Sequence, residues 1–344
     1  MSVPAAPDYP FPDLPPAGQA TAVAPGVHWL RMPLPFSLDH INLWLIDDGP
    51  ETVIVDCGIG DSATRTLWER LFAGPLAGRR ASSVIVTHFH PDHIGNAEWL
   101  VRRFGLMLKI SQAEYLMAHA VADNSAGYTD AATLDFFKQH GLDEAARETL
   151  RSARGGGGYR RLVPELPRRY HRVRAGDELV IGGRRWRFLV GQGHAPEHML
   201  MYCADIGVLI SGDMVLPRIS TNVSVHAPQP DSNPLKQFLD SLAGYAALPA
   251  DTLVLPSHGL PFRGLHGRIR QLEQHHVERL AELEAVCATP QVAAQVMRTL
   301  FRRPLDGHQI WFAMGETLAH LNYLAAAGRV RQETGSDGII RFLQ

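Results

Sequence analysis

The alternation of short apolar runs with polar, Gly- and Pro-containing segments predicts a sheet in the first part of the chain. Strands are expected at Val27–Met32, Ile41–Ile46 and Val53–Val55, which are separated by Pro, Asp and Gly residues. Apolar positions then recur with helical spacing over Ser62–Leu76 and Asn96–Phe104. Strands interleaved with helices indicate an α/β fold in which helices cover a sheet.

A further helix is expected over Ser111–Ala122. Ser111 is a suitable N-cap, and Glu114 stands three residues on, which is the spacing of a capping box. In such a box the carboxylate bonds back to the start of its own helix. The pattern therefore predicts that this helix begins after Ser111.

The last part of the chain, residues 263–344, has a different pattern. Helices are predicted at His266–Ala288, from Thr289-Pro290 onward with Thr as cap and Pro at N1, and at Gln309–Ala327. Arg329–Gln344 then alternates around a Gly-rich turn and is typical of a hairpin. Three helices followed by a hairpin predict a winged helix.

The highest density of chemically reactive residues lies directly after the β-branched run Ser82–Thr87. Three histidines and one aspartate fall between positions 88 and 93, namely His88, His90, Asp92 and His93. Imidazole and carboxylate together suit zinc, manganese or iron, and the sequence has no CxxC pair for a structural zinc clip. The segment predicts a metal site on a loop that leaves a buried strand. A hydrogen-bonded network of pH-sensitive histidines is the alternative.

Three more residues that can bind a metal stand at predicted strand ends. His194, Asp213 and His258 each come shortly after an apolar, strand-like run. Four strand ends would therefore each offer ligands to one edge of the fold. This repetition favours the metal site over a network of histidines alone.

At these motifs the chain resembles the metallo-β-lactamase superfamily, specifically the hydrolase branch typified by glyoxalase II. The resemblance runs from about Val23 to Gly259 and includes every ligand motif. It implies an αββα sandwich over residues 21–262 and two divalent metal ions, with zinc expected and manganese or iron as alternatives. By the same resemblance, His88, His90 and His194 bind the first ion, Asp92, His93 and His258 bind the second, and Asp213 bridges the two.

The resemblance also implies supporting and catalytic roles. Asp56, in Val53–Gly58, is expected to support the site from behind without binding metal, and His198 to support the site or face the substrate. Two divalent ions lower the pKa of a bridging water from about 15.7 toward neutrality, which gives a hydroxide nucleophile. Asp92 would orient that hydroxide and Asp213 would hold both ions. These two are the expected catalytic residues of a metal-dependent hydrolase.

Ester-type carbonyl compounds, meaning thioesters or lactones, are the expected small-molecule substrates. Only about 45 residues separate Asp213 from His258, too few for the large inserted domain of the RNA-cleaving β-CASP branch. The alternative is a metal-dependent endoribonuclease or phosphodiesterase acting on single-stranded RNA. It is supported by the C-terminal appendage, which resembles that of the subgroup with enzymes similar to lactamase beta 2. A metal-binding scaffold without catalysis is a third hypothesis, and the complete ligand set argues against it.

The segment 125–174 interrupts the strand and helix pattern, because about 100 positions separate His93 from His194. It is expected to be an insertion that acts as a substrate lid, with the Gly155–Gly158 run permitting backbone motion. Eight arginines stand between positions 151 and 174. If they are functional, they favour an anionic substrate such as a coenzyme A thioester or a phosphodiester. Otherwise they form a solvated surface.

The predicted third C-terminal helix argues against a nucleic-acid partner. Its stretch Gln309–Tyr323 contains no Lys or Arg. A helix that reads a nucleic-acid groove needs cations for phosphates and base edges. A structural or dimer-forming role is therefore favoured, and a homodimer is expected over a nucleic-acid complex.

Composition and charge argue against nucleic-acid-binding, membrane and secreted proteins. The 344 residues are 45% hydrophobic and 20% charged, and the net charge of −2 gives no global attraction to nucleic acid. No run approaches the roughly 20 apolar residues of a membrane helix. Residues 1–20 are rich in Pro and Ala and lack the regions of a signal peptide, so a flexible lead-in and a cytoplasmic location are expected. Cys57, Cys203 and Cys287 are expected to be free, buried thiols.

Overall fold

The computed structural model describes residues 6–154 and 158–344. Residues 1–5 of the predicted lead-in and Gly155–Gly157 of the predicted lid lie outside the described residues. The chain divides into two compact units. The first unit comprises Met1–His119, Tyr159–Thr221 and Ser241–Ile269, and the second comprises Ala120–Gly158, Asn222–Asp240 and Arg270–Gln344. The domain division at residues 262 and 263 and the lid at 125–174 stay predictions.

Two sheets lie in the first unit, counted over the described ranges. The larger sheet has seven strands in chain order: β1 (Thr21–Ala24), β2 (Val27–Pro33), β3 (His40–Asp48), β4 (Glu51–Val55), β5 (Arg80–Ile85), β6 (Leu108–Ile110) and β7 (Tyr170–Arg172). The smaller sheet has five strands, β8 (Glu178–Ile181), β9 (Arg184–Gly191), β10 (His198–Cys203), β11 (Val208–Gly212) and β12 (Leu253–Pro256), in the order β12-β11-β10-β9-β8. The strands predicted before residue 58 are confirmed as β2, β3 and β4.

The helices are α1 (Ser62–Ala73), α2 (Pro91–Ile94), α3 (Ala97–Phe104), α4 (Gln112–Ala122), α5 (Asp130–Gln139), α6 (Glu144–Arg154), α7 (Gly158–Leu162), α8 (Pro234–Tyr245), α9 (Leu265–Val286), α10 (Ala293–Leu300) and α11 (Gly307–Ala326). Strands β13 (Arg331–Thr334) and β14 (Ile340–Leu343) pair with each other. Within the described ranges, no helix combines the length and the apolar composition required to cross a membrane.

The facing sides of the two sheets form the core of the first unit. Trp29 and Trp44 of the larger sheet stack with their ring centroids 6.4 Å apart. Trp186 and Phe188 of the smaller sheet belong to the same buried cluster. Large aromatic side chains contribute much of the free energy of burial in such a core. The predicted α/β sandwich is confirmed.

The second unit contains the predicted terminal hairpin. In it, β13 and β14 pair antiparallel, with Arg331 opposite Leu343. The predicted start of α10 at Thr289-Pro290 is wrong, because the N-cap is Val292. Gln291 instead exchanges two backbone hydrogen bonds with Phe342, at 3.0 and 2.8 Å, so this segment is held extended against the last strand. Long-range pairing thus overrides a good local helix start.

Helix α11 begins two residues before the predicted position. The Asp306 side chain accepts a hydrogen bond from the backbone N–H of Gln309 at 2.8 Å, and Gln309 bonds back to the N–H of Asp306. This reciprocal capping box fixes the start of the helix. The winged-helix arrangement of these elements stays a prediction. All three cysteines are free and buried, as predicted.

Candidate metal centre

Two pairs of parallel strands position the candidate ligands. Strand β4 pairs with β5, and β11 pairs with β12, in both cases in parallel. The carboxyl ends of parallel neighbours meet at one edge of a sheet. Asp56 and His88 therefore follow adjacent strands of the larger sheet, and Asp213 and His258 follow adjacent strands of the smaller sheet.

The first candidate ligand group consists of His88, His90, His194 and Asp213, whose ligand atoms all lie within 4.8 Å of one another. His88 Nε2 lies 2.9 Å from His90 Nδ1 and 3.2 Å from His194 Nε2. Asp213 Oδ2 lies 3.3 Å from His194 Nε2. Three imidazole nitrogens and one carboxylate oxygen therefore converge on one point.

The second candidate group consists of Asp92, His93 and His258. Asp92 Oδ2 lies 3.4 Å from His258 Nε2 and 3.8 Å from His93 Nε2. The other oxygen of Asp213, Oδ1, lies 3.6 Å from His93 Nε2 and 3.5 Å from His258 Nε2. Asp213 thus presents one carboxylate oxygen to each group.

The seven side chains fit a pair of divalent cations. His93 Nε2 and Asp213 Oδ1 are buried and have no hydrogen-bond partner among the described residues. Buried polar atoms are normally satisfied, so unsatisfied atoms that face each other need an explanation. Imidazole and carboxylate are the ligands that zinc, manganese and iron accept. A divalent ion in each group would satisfy these atoms.

The electrostatics of the site also favour cations. Burial alone would lower the pKa of His93, but the carboxylates of Asp56, Asp92 and Asp213 raise that pKa well above its ordinary value. By contrast, burial and the surrounding imidazoles lower the pKa of His88 well below its ordinary value. A neutral imidazole is the form that binds a metal. The first group therefore holds a neutral imidazole at His88, whereas the carboxylates around His93 create a negative field that attracts cations.

Asp56 contacts the rear of the second group. One of its oxygens lies 2.8 Å from His93 Nδ1, and its other oxygen accepts a hydrogen bond from the Thr87 backbone N–H at 2.8 Å. An Nδ1–H that donates to Asp56 leaves Nε2 of His93 with a lone pair for a metal. Asp56 has a φ of 62°, an unusual value for a residue other than Gly. These are the contacts expected of a residue that supports the site from behind.

His198 contacts the backbone of Asp213. The N–H of Asp213 donates to His198 Nε2 at 3.1 Å. Gly212 precedes Asp213 with a φ of +54°, and a Cβ there would lie 2.2 Å from His198 Cε1. Both the left-handed backbone and the close imidazole therefore require glycine at this position.

Asn42 is a supporting residue that sequence reasoning missed. Its Nδ2 donates to the carbonyls of Pro256 and Gly259, each at 2.8 Å, and so holds the two sides of the loop that carries His258. Its Oδ1 accepts from Trp29 Nε1 at 2.8 Å. The available signal was a single amide inside the apolar run of β3.

The side chain of Glu114 bonds to two segments outside its own helix. Its carboxylate oxygens accept hydrogen bonds from the backbone N–H groups of Phe89 at 2.9 Å and Glu197 at 2.6 Å. Ser111 does cap the helix, since its hydroxyl accepts from the N–H of Glu114 at 3.3 Å. Burial raises the pKa of Glu114 to about 7, although the two N–H donors oppose that shift. The Glu114 carboxylate therefore accepts hydrogen bonds from two loops that lie far apart in the sequence.

Comparison with known families matches both parts of the chain. Residues 37–258 match the family described as "Metallo-beta-lactamase superfamily". Residues 280–344 match the family described as "Metallo-beta-lactamase-like, C-terminal domain". All seven candidate ligands lie within the first match.

Individual relatives agree with these families. The chain is 50% identical to a "Beta-lactamase domain protein" from Burkholderia ambifaria, whose crystal structure matches with a TM-score of 0.91 over 98% of each chain. It is 26% identical to "Probable metallo-hydrolase YqjP" of Bacillus subtilis (strain 168), over 86% of this chain and 91% of the relative. It is 23% identical to "Acyl-coenzyme A thioesterase MBLAC2" of Homo sapiens, over 55% of this chain and 63% of the relative.

Proposed function

The chain belongs to the metallo-beta-lactamase superfamily and is a metal-dependent hydrolase, and from this premise we propose that it is a binuclear enzyme that hydrolyses thioesters. Lactones and other esters are the nearest alternatives within the same carbonyl chemistry. The proposal rests on one observation: the two carboxylate oxygens of Asp213 face different ligand groups. Its Oδ2 faces His194 at 3.3 Å and its Oδ1 faces His258 at 3.5 Å.

The side chains at the site would hold two ions and orient the attacking water. His88, His90 and His194 would bind one ion, Asp92, His93 and His258 the other, and Asp213 both. When bound, divalent ions supply Lewis acidity and bring the pKa of a water molecule to about 7. The attacking water would donate a hydrogen bond to the carboxylate of Asp92. This hydrogen bond would direct a lone pair of the water oxygen toward the carbonyl carbon.

The chain's own thiols do not compete with water as nucleophiles. Cys57 lies one residue after Asp56 and is fully buried, and its burial raises the pKa of the thiol well above the ordinary value. A thiol attacks as the thiolate, which such burial disfavours. Hydrolysis by an activated water is therefore the chemistry that the site supports best.

Thioesters are supported by the relatives and by the length of the chain between two ligands. One similar protein is named an acyl-coenzyme A thioesterase, and another is named an atrochrysone carboxyl ACP thioesterase. Only about 45 residues separate Asp213 from His258, which leaves no room for a large RNA-binding insertion. Both observations favour a small carbonyl substrate over RNA.

The test is a comparison of initial rates on acyl-coenzyme A, on a lactone and on a fluorogenic single-stranded RNA. Zinc-loaded wild-type protein is measured beside Asp213→Ala as the blank. A thioester rate that exceeds the lactone rate and disappears in the variant supports the proposal. Cleavage of RNA with no thioester rate would overturn it and favour a phosphodiesterase.

A further inference from the structure

We infer that Glu114 is a positioning residue that locks together the two histidine-bearing loops of the metal centre. The inference rests on the proposed binuclear site. In this role, the buried carboxylate of Glu114 on helix α4 sets the positions of the ligands from the larger sheet relative to those from the smaller sheet. Nothing in the local sequence of α4 indicates this role.

The two N–H donors to Glu114 lie on different histidine-bearing loops. The N–H of Phe89, which bonds to Glu114 at 2.9 Å, belongs to the residue between His88 and His90. The N–H of Glu197, which bonds to the other oxygen at 2.6 Å, belongs to the residue just before His198 on the loop that carries His194. The two oxygens of one side chain thus fix the backbone of both loops.

Helix α4 carries this carboxylate near its N-terminal end. Ser111 Oγ accepts from the N–H of Glu114 at 3.3 Å and so caps the helix. In return, the Glu197 carboxylate accepts from the N–H of Ala113 at 3.5 Å, at the positive end of the helix dipole. The helix start and the His194 loop therefore hold each other through two hydrogen bonds in opposite directions.

A carboxylate is needed because both partners are donors. Glu114 is fully buried, so neither N–H can turn to water when its acceptor is lost. A glutamine at this position keeps one acceptor oxygen, but its NH₂ group would face the second N–H, and two donors cannot bond. Glu114→Gln should therefore release one loop without removing side-chain volume.

The two loops keep another connection in such a variant. The N–H of Met199 donates to the carbonyl of Thr87 at 2.9 Å, which joins the same two segments on the strand side of the ligands. The sheets should therefore still dock when Glu114 is changed. We expect the defect to appear in ligand geometry rather than in folding.

The experiment measures metal binding directly, with activity as a secondary readout. Zinc affinity is determined by competition with a chromophoric chelator, and ligand geometry by the visible absorption spectrum after cobalt substitution. Glu114→Gln should bind zinc about 10- to 100-fold more weakly, the usual effect of removing a partner of metal ligands. Its cobalt spectrum should differ from that of the wild type.

Ser111→Ala is the matched control, because it removes the cap of the same helix without touching either loop. It should keep wild-type zinc affinity and cobalt spectrum. Equal losses in Ser111→Ala and Glu114→Gln would overturn the inference and reduce Glu114 to a helix-stabilising residue. Wild-type affinity and spectrum in Glu114→Gln would overturn it as well.

Two further measurements test the role of Glu114 and the binuclear site independently of each other. If the glutamine variant does not fold, Glu114→Asp keeps both oxygens on a shorter stem, and a cobalt spectrum identical to wild type then overturns the inference. A wild-type protein that binds fewer than two ions would instead contradict the binuclear site. The wild-type stoichiometry is therefore measured first.

Discussion

Both units bury histidines, but the surroundings of those histidines are opposite. In the first unit, burial alone would lower the pKa of His258, yet Asp213 and Asp92 raise it to about 10. In the second unit, His276 Nδ1 lies 3.1 Å from His320 Nε2, and no carboxylate among the described residues raises either pKa. Burial there lowers the pKa of His276 to about 3 and that of His320 to about 4.

The difference shows that clustered histidines alone do not indicate a cation site. His320 Nδ1 lies 2.8 Å from the carbonyl of Glu316, so its Nε2 is left to accept the hydrogen of His276. Two neutral rings are enough for both hydrogen bonds, although His276 Nε2 is buried without a hydrogen-bond partner among the described residues. The metal centre, by contrast, needs positive charge to balance Asp92 and Asp213. Carboxylates among the histidines therefore distinguish a metal centre from a structural pair.

The strongest test of this distinction removes the carboxylate of Asp213, which faces both ligand groups. Asp213→Ala should lower kcat/KM by at least about 10³-fold, because each ligand group loses one carboxylate oxygen. Circular dichroism should show that the fold is kept. The exposed Asp251→Ala in the same unit is the control and should keep wild-type kinetics. Full activity in a folded Asp213→Ala would contradict the metal centre.

Metal removal should affect the two units unequally. An ion present at a thousandfold excess over its Kd stabilises the folded state by about 4 kcal/mol, and a chelator removes that stabilisation. Hydrogen exchange should then accelerate in β10 and β11 but not in α11. Equal acceleration in both would show that the ions stabilise the whole chain rather than their own ligands.

Acid should reveal the structural pair in the second unit. Because the folded pKa values of His276 and His320 lie below the ordinary value of about 6.5, the unfolded state binds more protons as the pH falls. Above about pH 6.5 this histidine pair does not lower the free energy of unfolding. By pH 5 the pair should lower that free energy by roughly 2–4 kcal/mol.

The acid effect is checked by urea unfolding of the chelator-treated protein at pH 7 and pH 5. The double variant His276→Leu, His320→Leu removes both titrating groups while keeping apolar volume. Its stability should change less between the two pH values than that of the wild type. The same change in both proteins would mean that other groups cause the acid effect.

The smallest expected effect concerns the cap of α11. Asp306→Ala removes the acceptor for the N–H of Gln309 and should destabilise the protein by about 1 kcal/mol. Asp306→Asn keeps an acceptor and should be close to wild type. Chemical denaturation measures both, and zinc affinity should be unchanged in each, because the cap lies outside the first unit.

The candidate ligands could be predicted because each stands beside a short strand-like run, which is a local signal. His88, His90, Asp92 and His93 even share one loop. The supporting contacts could not be predicted in the same way. Glu114 fits a capping box, and only tertiary structure brings Phe89 and Glu197 to its oxygens.

Two other differences have the same cause. Helix α10 starts late because Gln291 pairs with Phe342, about 50 residues away in sequence. Asn42 is an amide in an apolar strand, and its partners Pro256 and Gly259 come from the far end of the first unit's sequence. Local pattern predicts elements and ligands, whereas long-range pairing decides where helices start and what holds the ligands in place.

The division of ligands between two sheets has a consequence for the order of assembly during biosynthesis. His88 and its neighbours emerge together from the ribosome, whereas His194 lies 106 positions later than His88 and His258 later still. We expect the early loop of a nascent chain to bind one ion loosely at most, because Asp213 follows β11 of the smaller sheet and would reach that ion after the two sheets dock. We expect complete metal loading to be a late, post-translational step whose rate follows sheet docking, as stopped-flow refolding with a zinc-sensitive dye would show.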